Sequence, residues 1–386
     1  MALDHEARLR RREEARRQAR RRRRRGVAAL VTAVVVACLA AVAVIAGAGG
    51  DDQQTAQQAP EAQALPHEPV KLTIAASGDL LIHSPVFLQA LANGGGERYE
   101  FRPMLRQVRR IVRRADLGIC HLEQPLTPDD PHGEPTFRAP AGLAGAIRWT
   151  GWDACSTASN HAFDSGQPGI DFTVRRLDRN GIAHSGTNAK PGTPRQAMIE
   201  AKGVKVALLA YTTRIIGMPL PDNDWALNMA EPKRMLADAG AAREAGAAAV
   251  IVSLHWGDEY VHAPSRLQRR LARTLSRSPD VTAVIGQHVH VVQPIREVNG
   301  KPVVFGEGNL LSNQTAACCP VESQDGMVVL LEVTAGPEGA EVERVRYVPT
   351  WVQHPGFEVI RATGESRRRT IGYAGRAPWL QPVPAR

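Results

Sequence analysis

The stretch VIGQHVHVVQPI, residues 284–295, places two histidines, His288 and His290, one residue apart at the end of an apolar run. Such a run predicts a buried strand, and side chains two apart on extended backbone point to the same face. The two imidazoles would then form a chelating pair for a metal ion. The alternative is that one ring is a core histidine bonded to the backbone while the other is solvated, and the rest of the chain must decide between them.

Polar side chains of the same types follow four other apolar runs. Parallel strands bring their carboxyl ends to one edge of a sheet, where open α/β proteins bind ligands, so these side chains are expected to converge. Carboxylates, an amide oxygen and imidazoles without cysteine suit Mn, Fe or Zn. The set is too large for one tetrahedral site, which predicts two divalent metal ions that share a carboxylate. In chain order the residues are Asp79 with His83, His121 with Glu123, Asn160 with His161 and Asp164, His255, and the opening pair.

The elements that would position these residues alternate between short apolar runs and helix-like segments. Strands are predicted at KLTIAAS, DLGICHL, DACSTAS, VKVALLAY, AAVIVSL and VTAVIG, with helices near residues 169–180, 231–246 and 265–276. This alternation predicts an α/β domain with helices packed on a largely parallel central sheet. The closing runs PVVFGEG, MVVLLEV and EVERVRYVP have no long helix between them, which indicates antiparallel strands completing a second sheet. The Arg- and Pro-rich chain from about His354 onward is expected on the surface.

The positive charge of the chain is concentrated at its N-terminus. Residues 1–25 hold 12 arginines and four acidic residues, so they contribute +8 of the total net charge of +9. The nearly neutral remainder argues against nucleic acid as a partner. Residues 26–48 are almost wholly apolar and long enough to span the roughly 30 Å hydrocarbon core as one helix. We predict a single-pass transmembrane signal anchor there, with residues 1–25 as a basic cytoplasmic tail and the body of the protein outside the cell membrane.

Two alternatives to an uncleaved anchor stay open. A cleaved signal peptide has a shorter apolar core, and VVAC, ending at Cys38, resembles a lipoprotein processing site, although the apolar run continues for ten residues beyond it. Residues 49–70 are polar, Gln-rich and punctuated by prolines, which predicts a flexible linker. Four cysteines follow this linker. Cys120 and Cys155 are expected in buried strands, where a free thiol packs as a small hydrophobic group, and their pairing stays open.

Six motifs carry a resemblance to a known family. SGDLLIH, HLEQPLT, SNHAFDSGQPG, LHWGDEY, GQHVHVVQPI and VVFGEGNLLSN fall in the order and approximate spacing of the CapA family, which is associated with poly-γ-glutamate capsule synthesis. The domain of that family is similar to calcineurin-like metallophosphatases. The resemblance covers roughly residues 71–335 and implies a four-layer α/β/β/α sandwich with a dinuclear metal centre at one edge. We therefore predict a CapA-like domain over residues 71–353 and a C-terminal extension over residues 354–386.

The resemblance also implies roles for individual side chains. His161 looks like the histidine that protonates the leaving group in metallophosphatases, and Asp164 is expected to orient it. The implied metal ligands are Asp79 on the first strand, Glu123 as the bridging carboxylate, Asn160 and His255 on the second metal, and His288 and His290 divided between the two ions.

The sequence departs from the metallophosphatase pattern at two positions. Those enzymes carry Asp-x-His on the first strand, whereas His83 lies four positions after Asp79, so its role as a ligand stays open. Their bridging residue is an aspartate, whereas Glu123 has a longer side chain. His121 is one step out of phase with Glu123 along the strand and is expected to face away from the site.

The sequence thus predicts a membrane-anchored, extracytoplasmic CapA-like protein with a dinuclear metal centre. It would act in the synthesis, export or processing of poly-γ-glutamate or another capsule polymer by metal-dependent hydrolysis. Its expected partners are the membrane, an anionic extracellular polymer or phosphoester substrate, and subunits of a membrane synthase. The alternatives are a non-catalytic polymer-binding subunit of such a synthase complex and a cell-wall phosphatase unrelated to capsule.

Overall fold

The structure is a computed structural model that describes residues 68–216 and 224–384. The predicted cytoplasmic tail, the predicted anchor and nearly all of the predicted linker lie outside these ranges. In the described part of the chain, no helix combines the length and the apolar character that crossing a bilayer requires.

The described chain alternates strands and helices from its first strand to α6, as the apolar runs predict. The strands are β1 Val70–Leu80, β2 Leu117–Leu122, β3 Leu126–Thr127, β4 Ala139–Pro140, β5 Ala154–Ser156, β6 Ala183–Ser185, β7 Ala197–Ala201, β8 Val204–Thr212, β9 Ala249–His255, β10 Ala283–Gln287, β11 Ile295–Val298, β12 Lys301–Val304, β13 Asn309–Leu311, β14 Asp325–Gly336, β15 Gly339–Gln353, β16 Glu358–Arg361 and β17 Leu380–Pro382. The helices are α1 Ser84–Asn93, α2 Arg106–Val112, α3 Gly142–Thr150, α4 Gly166–Arg179, α5 Pro232–Glu244, α6 Arg266–Arg277 and α7 Gly364–Ala374, with a 3₁₀-helix at Val321–Gln324.

Two large sheets form the body of the domain. The first has nine strands, in the order β16-β15-β14-β1-β2-β5-β6, with β13 also paired to β1 and β17 to β15. Its strands β1, β2, β5 and β6 run parallel. The second sheet has six strands, in the order β11-β12-β10-β9-β8-β7, and its four central strands run parallel.

The two sheets pack face to face, and helices cover their outer faces. Strand β9 shows this arrangement because its side chains alternate between the two faces of the second sheet. Ile251 packs with Ile74 of β1 in the apolar core between the sheets. Val250 and Val252 point the other way and pack against α5 and α6, while α1 to α4 cover the outer face of the first sheet. The α/β class is confirmed, and the layers lie in the order helix, sheet, sheet, helix.

Two expectations about the end of the chain need correction. The runs in β14 and β15 are antiparallel as predicted, but they pair alongside β1 in the first sheet, whereas β12 runs parallel to β10 in the second. The chain after His354 is not confined to the surface, because β16 and β17 both pair with β15. Ala374 and Leu380 are buried in the core between the sheets. The apolar residues that make these contacts are interspersed among arginines, so the Arg-rich composition of the segment does not reveal them.

The structure decides the pairing of Cys120 and Cys155, which the sequence left open. Both residues are buried as predicted, but they form a disulfide between β2 and β5, where they lie opposite each other in the parallel register. Cys318 and Cys319 are free thiols.

Candidate metal centre

The carboxyl ends of the parallel strands in both sheets meet at one edge, and the predicted ligands lie there. Asp79 is the penultimate residue of β1, Glu123 directly follows β2, and His255 is the last residue of β9. Asn160 lies in the loop after β5. These four residues and the two histidines after β10 are each 3 % exposed or less, so the structure brings the predicted set together in a buried cluster.

The two histidines of the opening motif reach this cluster from a turn. Strand β10 ends at Gln287, and the backbone φ angles of His288 and His290 are 89° and 56°, in the left-handed region. Residues with a side chain seldom adopt such angles, and they persist where the surrounding structure enforces them. The prediction that the pair lies on extended backbone is wrong. The two rings nevertheless lie together, with their centroids 6.0 Å apart.

The side chains form two groups that could each hold a metal ion. The ligating atoms within each group lie within 4.8 Å of one another. The two groups adjoin, since His255 Nε2 and His290 Nε2 each lie 3.8 Å from Glu123 Oε1. The first group is Asp79, His121 and His255, and the second is Glu123, His288 and His290.

His121 is therefore part of the site, and the expectation that it faces away is wrong. Its Nε2 lies 3.0 Å from His255 Nδ1 and 3.7 Å from Asp79 Oδ1. One tautomer satisfies every neighbouring contact: Ser156 Oγ donates to His121 Nδ1 at 3.1 Å, and His121 Nε2 donates to His255. His255 Nε2 then donates to Asn160 Oδ1 at 2.7 Å. This chain of hydrogen bonds holds the two imidazoles and the amide oxygen together, and a bound ion would replace the hydrogen bonds between them.

Unpartnered buried atoms show that the site suits a cation. Both carboxylate oxygens of Glu123 and both ring nitrogens of His288 are buried and have no hydrogen-bond partner in the described part of the chain. Leaving a buried polar group unpaired costs about 1 to 3 kcal/mol, and more for a charged group. A divalent ion would coordinate these atoms, so the residues present fit the metal centre that the sequence predicts.

The pKa shifts within the cluster also indicate that the site suits a cation. Burial raises the pKa of the Glu123 carboxyl well above its usual range. Burial also lowers the pKa of His255 and His288 well below the usual value, and that of His121 to about 4, so these imidazoles are neutral and ready to coordinate. Burial lowers the pKa of His290 as well, but two neighbouring carboxylates outweigh it and raise the pKa to about 9. The carboxylates thus favour positive charge at this point, which a divalent ion would supply.

His161 and Asp164 lie beside the cluster and contact each other as predicted. His161 Nδ1 is 2.8 Å from Asp164 Oδ2. This contact engages Nδ1 of the ring and leaves Nε2 outside it. Asp164 also accepts from the backbone N–H of Phe137 at 2.7 Å, which fixes the carboxylate. The His161 side chain is 12 % exposed, more than the ligand candidates, so it is more accessible to solvent than they are.

His83 belongs to neither group of ligand candidates. Its Nδ1 lies 3.0 Å from the carbonyl oxygen of Leu81, and its Nε2 lies 3.6 Å from Glu134 Oε1. Its ring packs edge-on against Phe137, whose other neighbour is His161. Burial lowers the pKa of His83 to about 4. In this structure His83 supports the wall of the site instead of coordinating a metal.

Comparison with known proteins shows to which family the chain belongs. The family described as bacterial capsule synthesis protein PGA_cap matches residues 73–314. The chain belongs to this family. The PGA biosynthesis protein CapA of Bacillus subtilis is 31% identical over 165 residues, which cover 41% of this chain and 42% of that protein. The capsule biosynthesis protein CapA of Bacillus anthracis is 22% identical over 256 residues, or 63% of this chain and 60% of that protein. The chain thus spans less than two thirds of either relative.

Solved structures of low sequence identity also align with this PGA_cap member. The calcineurin-like phosphoesterase YfkN from Bacillus subtilis is 14% identical with a TM-score of 0.47, and the alignment covers 79% of this chain and 96% of that one. The 5'-nucleotidase precursor from Thermus thermophilus is 14% identical with a TM-score of 0.46, over 79% of this chain and 58% of that one.

Two polar residues of the site were not singled out from the PGA_cap sequence. Asn309 Oδ1 lies 3.0 Å from His290 Nδ1, and the Asn309 amide nitrogen donates elsewhere, so the oxygen is held toward the histidine. Glu307 is fully buried and accepts from Gln287 Nε2 at 3.1 Å. Burial raises the pKa of Glu307 to about 8, and the nearby Asp79 adds to this effect. Both residues lie in the VVFGEGNLLSN motif, so a search of that motif for polar residues would have found them.

Proposed function

We propose that this chain is an extracytoplasmic hydrolase that uses two divalent metal ions, Mn, Fe or Zn, to cleave a phosphoester or an amide of an anionic polymer during capsule synthesis. The observation that carries the proposal is the buried cluster of two adjoining ligand groups with a hydrogen-bonded His161–Asp164 pair at its more exposed side. A cluster that only bound metal would not need an oriented, solvent-accessible histidine beside it.

The residues that would hold the ions are the members of the two groups together with Asn160. Bound divalent ions supply Lewis-acid polarisation of a scissile phosphoryl or carbonyl group and lower the pKa of water. Glu123 belongs to the second group and lies 3.8 Å from His255 of the first, so it is the carboxylate placed to be shared. Asn309 and Ser156 hold His290 and His121 in their orientations through side-chain contacts of 3.0 and 3.1 Å.

His161 would act as the general acid. Asp164 holds the Nδ1 proton and stabilises the imidazolium form, so the proton that leaves is the one on Nε2. This proton would go to the departing oxygen or nitrogen of the substrate. Arg214, after β8, is close enough to His288 to lower the pKa of that histidine, and its side chain is 46 % exposed. Arg214 Nη2 lies 3.7 Å from Asp258 Oδ1, so this carboxylate already offsets part of its charge at the rim.

The biological setting is carried over from the family and from the predicted N-terminal anchor. The printed names of the two Bacillus relatives place them in PGA and capsule biosynthesis. We extend this setting to the chain: the anchor over residues 26–48 would hold the domain outside the cell membrane, beside subunits of a membrane synthase. A reporter enzyme fused to the C-terminus should then be active only outside the cytoplasm. A reporter active only in the cytoplasm would refute the proposed topology.

The proposed activity is tested on the purified full-length protein. After incubation with Mn²⁺ or Zn²⁺ it should retain about two divalent ions per chain, as a two-metal site requires. It should also hydrolyse a nitrophenyl phosphoester, and a chelator should abolish the turnover. Absence of bound metal would refute the metal centre. Bound metal without turnover of a phosphoester or of poly-γ-glutamate would favour a non-catalytic polymer-binding subunit instead.

A further inference from the structure

A second concave site lies at the end of the first sheet opposite the metal centre. It is a cavity of about 650 Å³, and its described lining residues include four arginines and no acidic residue. The depression continues toward Thr73, near the start of β1, whereas Asp79 lies near the end of that strand. At about 3.3 Å per residue, the two sites are roughly 20 Å apart. We call this cavity the arginine groove and define it by Arg110, Arg114, Arg346 and Arg361, with Ile111 and Val383 as apolar lining.

Helix α2 builds one wall of the arginine groove. Arg110, Ile111 and Arg114 recur at helical spacing, so they share one face that lines the groove. Arg109 and Arg113 point elsewhere, because both donate to the carbonyl oxygen of Trp149. Of the five arginines between residues 106 and 114, the structure thus uses two in a local contact and directs two into the groove.

In the neighbouring cavity, by comparison, the lysines are paired with carboxylates. There Lys71 lies 3.1 Å from Glu343, and Lys202 lies 2.9 Å from Asp116. Each cation in these pairs has its own carboxylate, so a ligand gains little from contacting it.

The arginines on the α2 side of the arginine groove lack such carboxylate partners among the residues described. Arg346 lies 3.7 Å from Glu332, but Arg110 and Arg114 have no carboxylate partner among the residues described. Burial lowers the pKa of Arg361, and the like charges of Arg114 and Arg367 lower it further. Arg110 of α2 and Arg114, two residues after its end, therefore add positive charge to a concavity that has no carboxylate among its described lining residues.

We propose that the arginine groove binds a carboxylate-rich polymer chain, at a site separate from the metal centre. Guanidinium groups bind carboxylates through two parallel hydrogen bonds, so several arginines in one groove select successive carboxylates along a chain. Ile111 and Val383 would contact the methylene groups between them. This inference rests on the proposed function for the choice of an anionic polymer. The groove would hold the chain while a distant part of it reaches the metal centre, which raises the effective concentration of the substrate.

The test is the binding of fluorescein-labelled oligoglutamate to the full-length protein, followed by fluorescence anisotropy in the presence of a chelator. The double variant Arg110→Ala/Arg114→Ala should raise Kd by about fivefold, the sum of two exposed charge pairs. Both side chains are exposed, so the fold should survive. The matched control is Arg270→Ala/Arg273→Ala, which removes the same charge from exposed positions on α6 and should leave Kd unchanged.

Three results would overturn this inference. Equal losses in the two double variants would mean that only the overall charge matters. No binding to the parent protein would remove the polymer site. Displacement of the peptide by glycerol phosphate, at a concentration where free glutamate has no effect, would assign the groove to a phosphate-bearing lipid head group. The small phosphoester assay reports on the metal centre alone. Failure there and on poly-γ-glutamate, together with intact, groove-dependent peptide binding, would refute the proposed hydrolysis and leave this inference standing.

Discussion

The substitution His161→Ala separates catalysis from metal binding. His161 belongs to neither ligand group, and its Nδ1 is engaged by Asp164 at 2.8 Å. Removing the imidazole should leave both ions bound, because every ligand candidate keeps its position. The same change removes the group that we propose as the proton donor. The variant should therefore keep its metal content and lose activity selectively.

The expected loss depends on the leaving group. General acid catalysis contributes roughly 10²- to 10⁴-fold, which corresponds to about 3 to 5 kcal/mol of transition-state stabilisation. An alkyl phosphate needs a proton on the departing oxygen, so it should show the full loss. A nitrophenyl phosphate leaves as a stable anion and should lose about tenfold or less. Asp164→Asn should fall between these limits, because an amide still contacts the ring but no longer stabilises the imidazolium.

The assay compares kcat/KM on the two substrates with the metal content of each variant. His184→Ala is a matched control, since His184 pairs with Asp178 at 3.2 Å on β6, and its loss should affect neither substrate. Equal losses of His161→Ala on both substrates, or loss of bound metal, would refute the general-acid role and assign His161 to coordination or structure.

Three further predictions concern stability. Gly78→Ala should lower the free energy of unfolding by about 3 kcal/mol or more in denaturant titration, because its Cβ would lie 1.8 Å from a backbone oxygen; Gly372→Ala, with nothing within 4 Å, should be neutral or stabilising, and equal effects would contradict this reasoning. Replacing Cys120 and Cys155 together by alanine should cost about 3 to 4 kcal/mol, as expected for a separation of 35 residues, and an unchanged denaturation midpoint would exclude a stabilising disulfide. His83 has a folded pKa of about 4, below its usual 6.5, so the folded protein loses stability as pH falls from 6.5 to 4; His83→Gln should remove about 3 kcal/mol of that loss, and an identical pH profile would refute it.

The strands and the position of the site could be predicted from the sequence because the same signal occurs at each strand end. Each apolar run that leads to Asp79, Glu123 or His255 predicts a strand, and the polar residue marks the carboxyl end of that strand. Convergence then follows from parallel pairing, which needs no knowledge of side-chain contacts.

The direction of His121 could not be predicted, because the argument from alternation requires both residues to lie on one regular strand. Strand β2 ends at Leu122, so Glu123 lies beyond it and its side chain no longer alternates with that of His121. Both side chains can then reach the site. The same limit applies to the pair after β10: the convergence of His288 and His290 was expected from extended backbone, whereas a left-handed turn produces it. Such turns depend on tertiary contacts, which the apolar pattern does not encode.

The C-terminal segment shows a different limit. Its two strands are four and three residues long, too short for periodicity to detect. Besides the burial of Ala374, an ion pair contributes to the position of α7: Arg369 Nε lies 2.8 Å from Asp325 Oδ2, across 44 residues of sequence. Since a single arginine in an arginine-rich run carries no sign of its partner, only the folded arrangement identifies it.

The metal centre combines features that would be unfavourable in a protein that never binds a cation. Glu123 is a buried carboxylate without a hydrogen-bond donor, and His288 is a buried imidazole without a partner at either nitrogen. Both groups come from chain segments just beyond strand ends. Solvent-facing rotamers would remove the cost of burial, yet both side chains are fully buried. This cost is offset when a cation occupies the site, so the arrangement itself supports selection for metal binding, independently of whether the bound ions then catalyse a reaction.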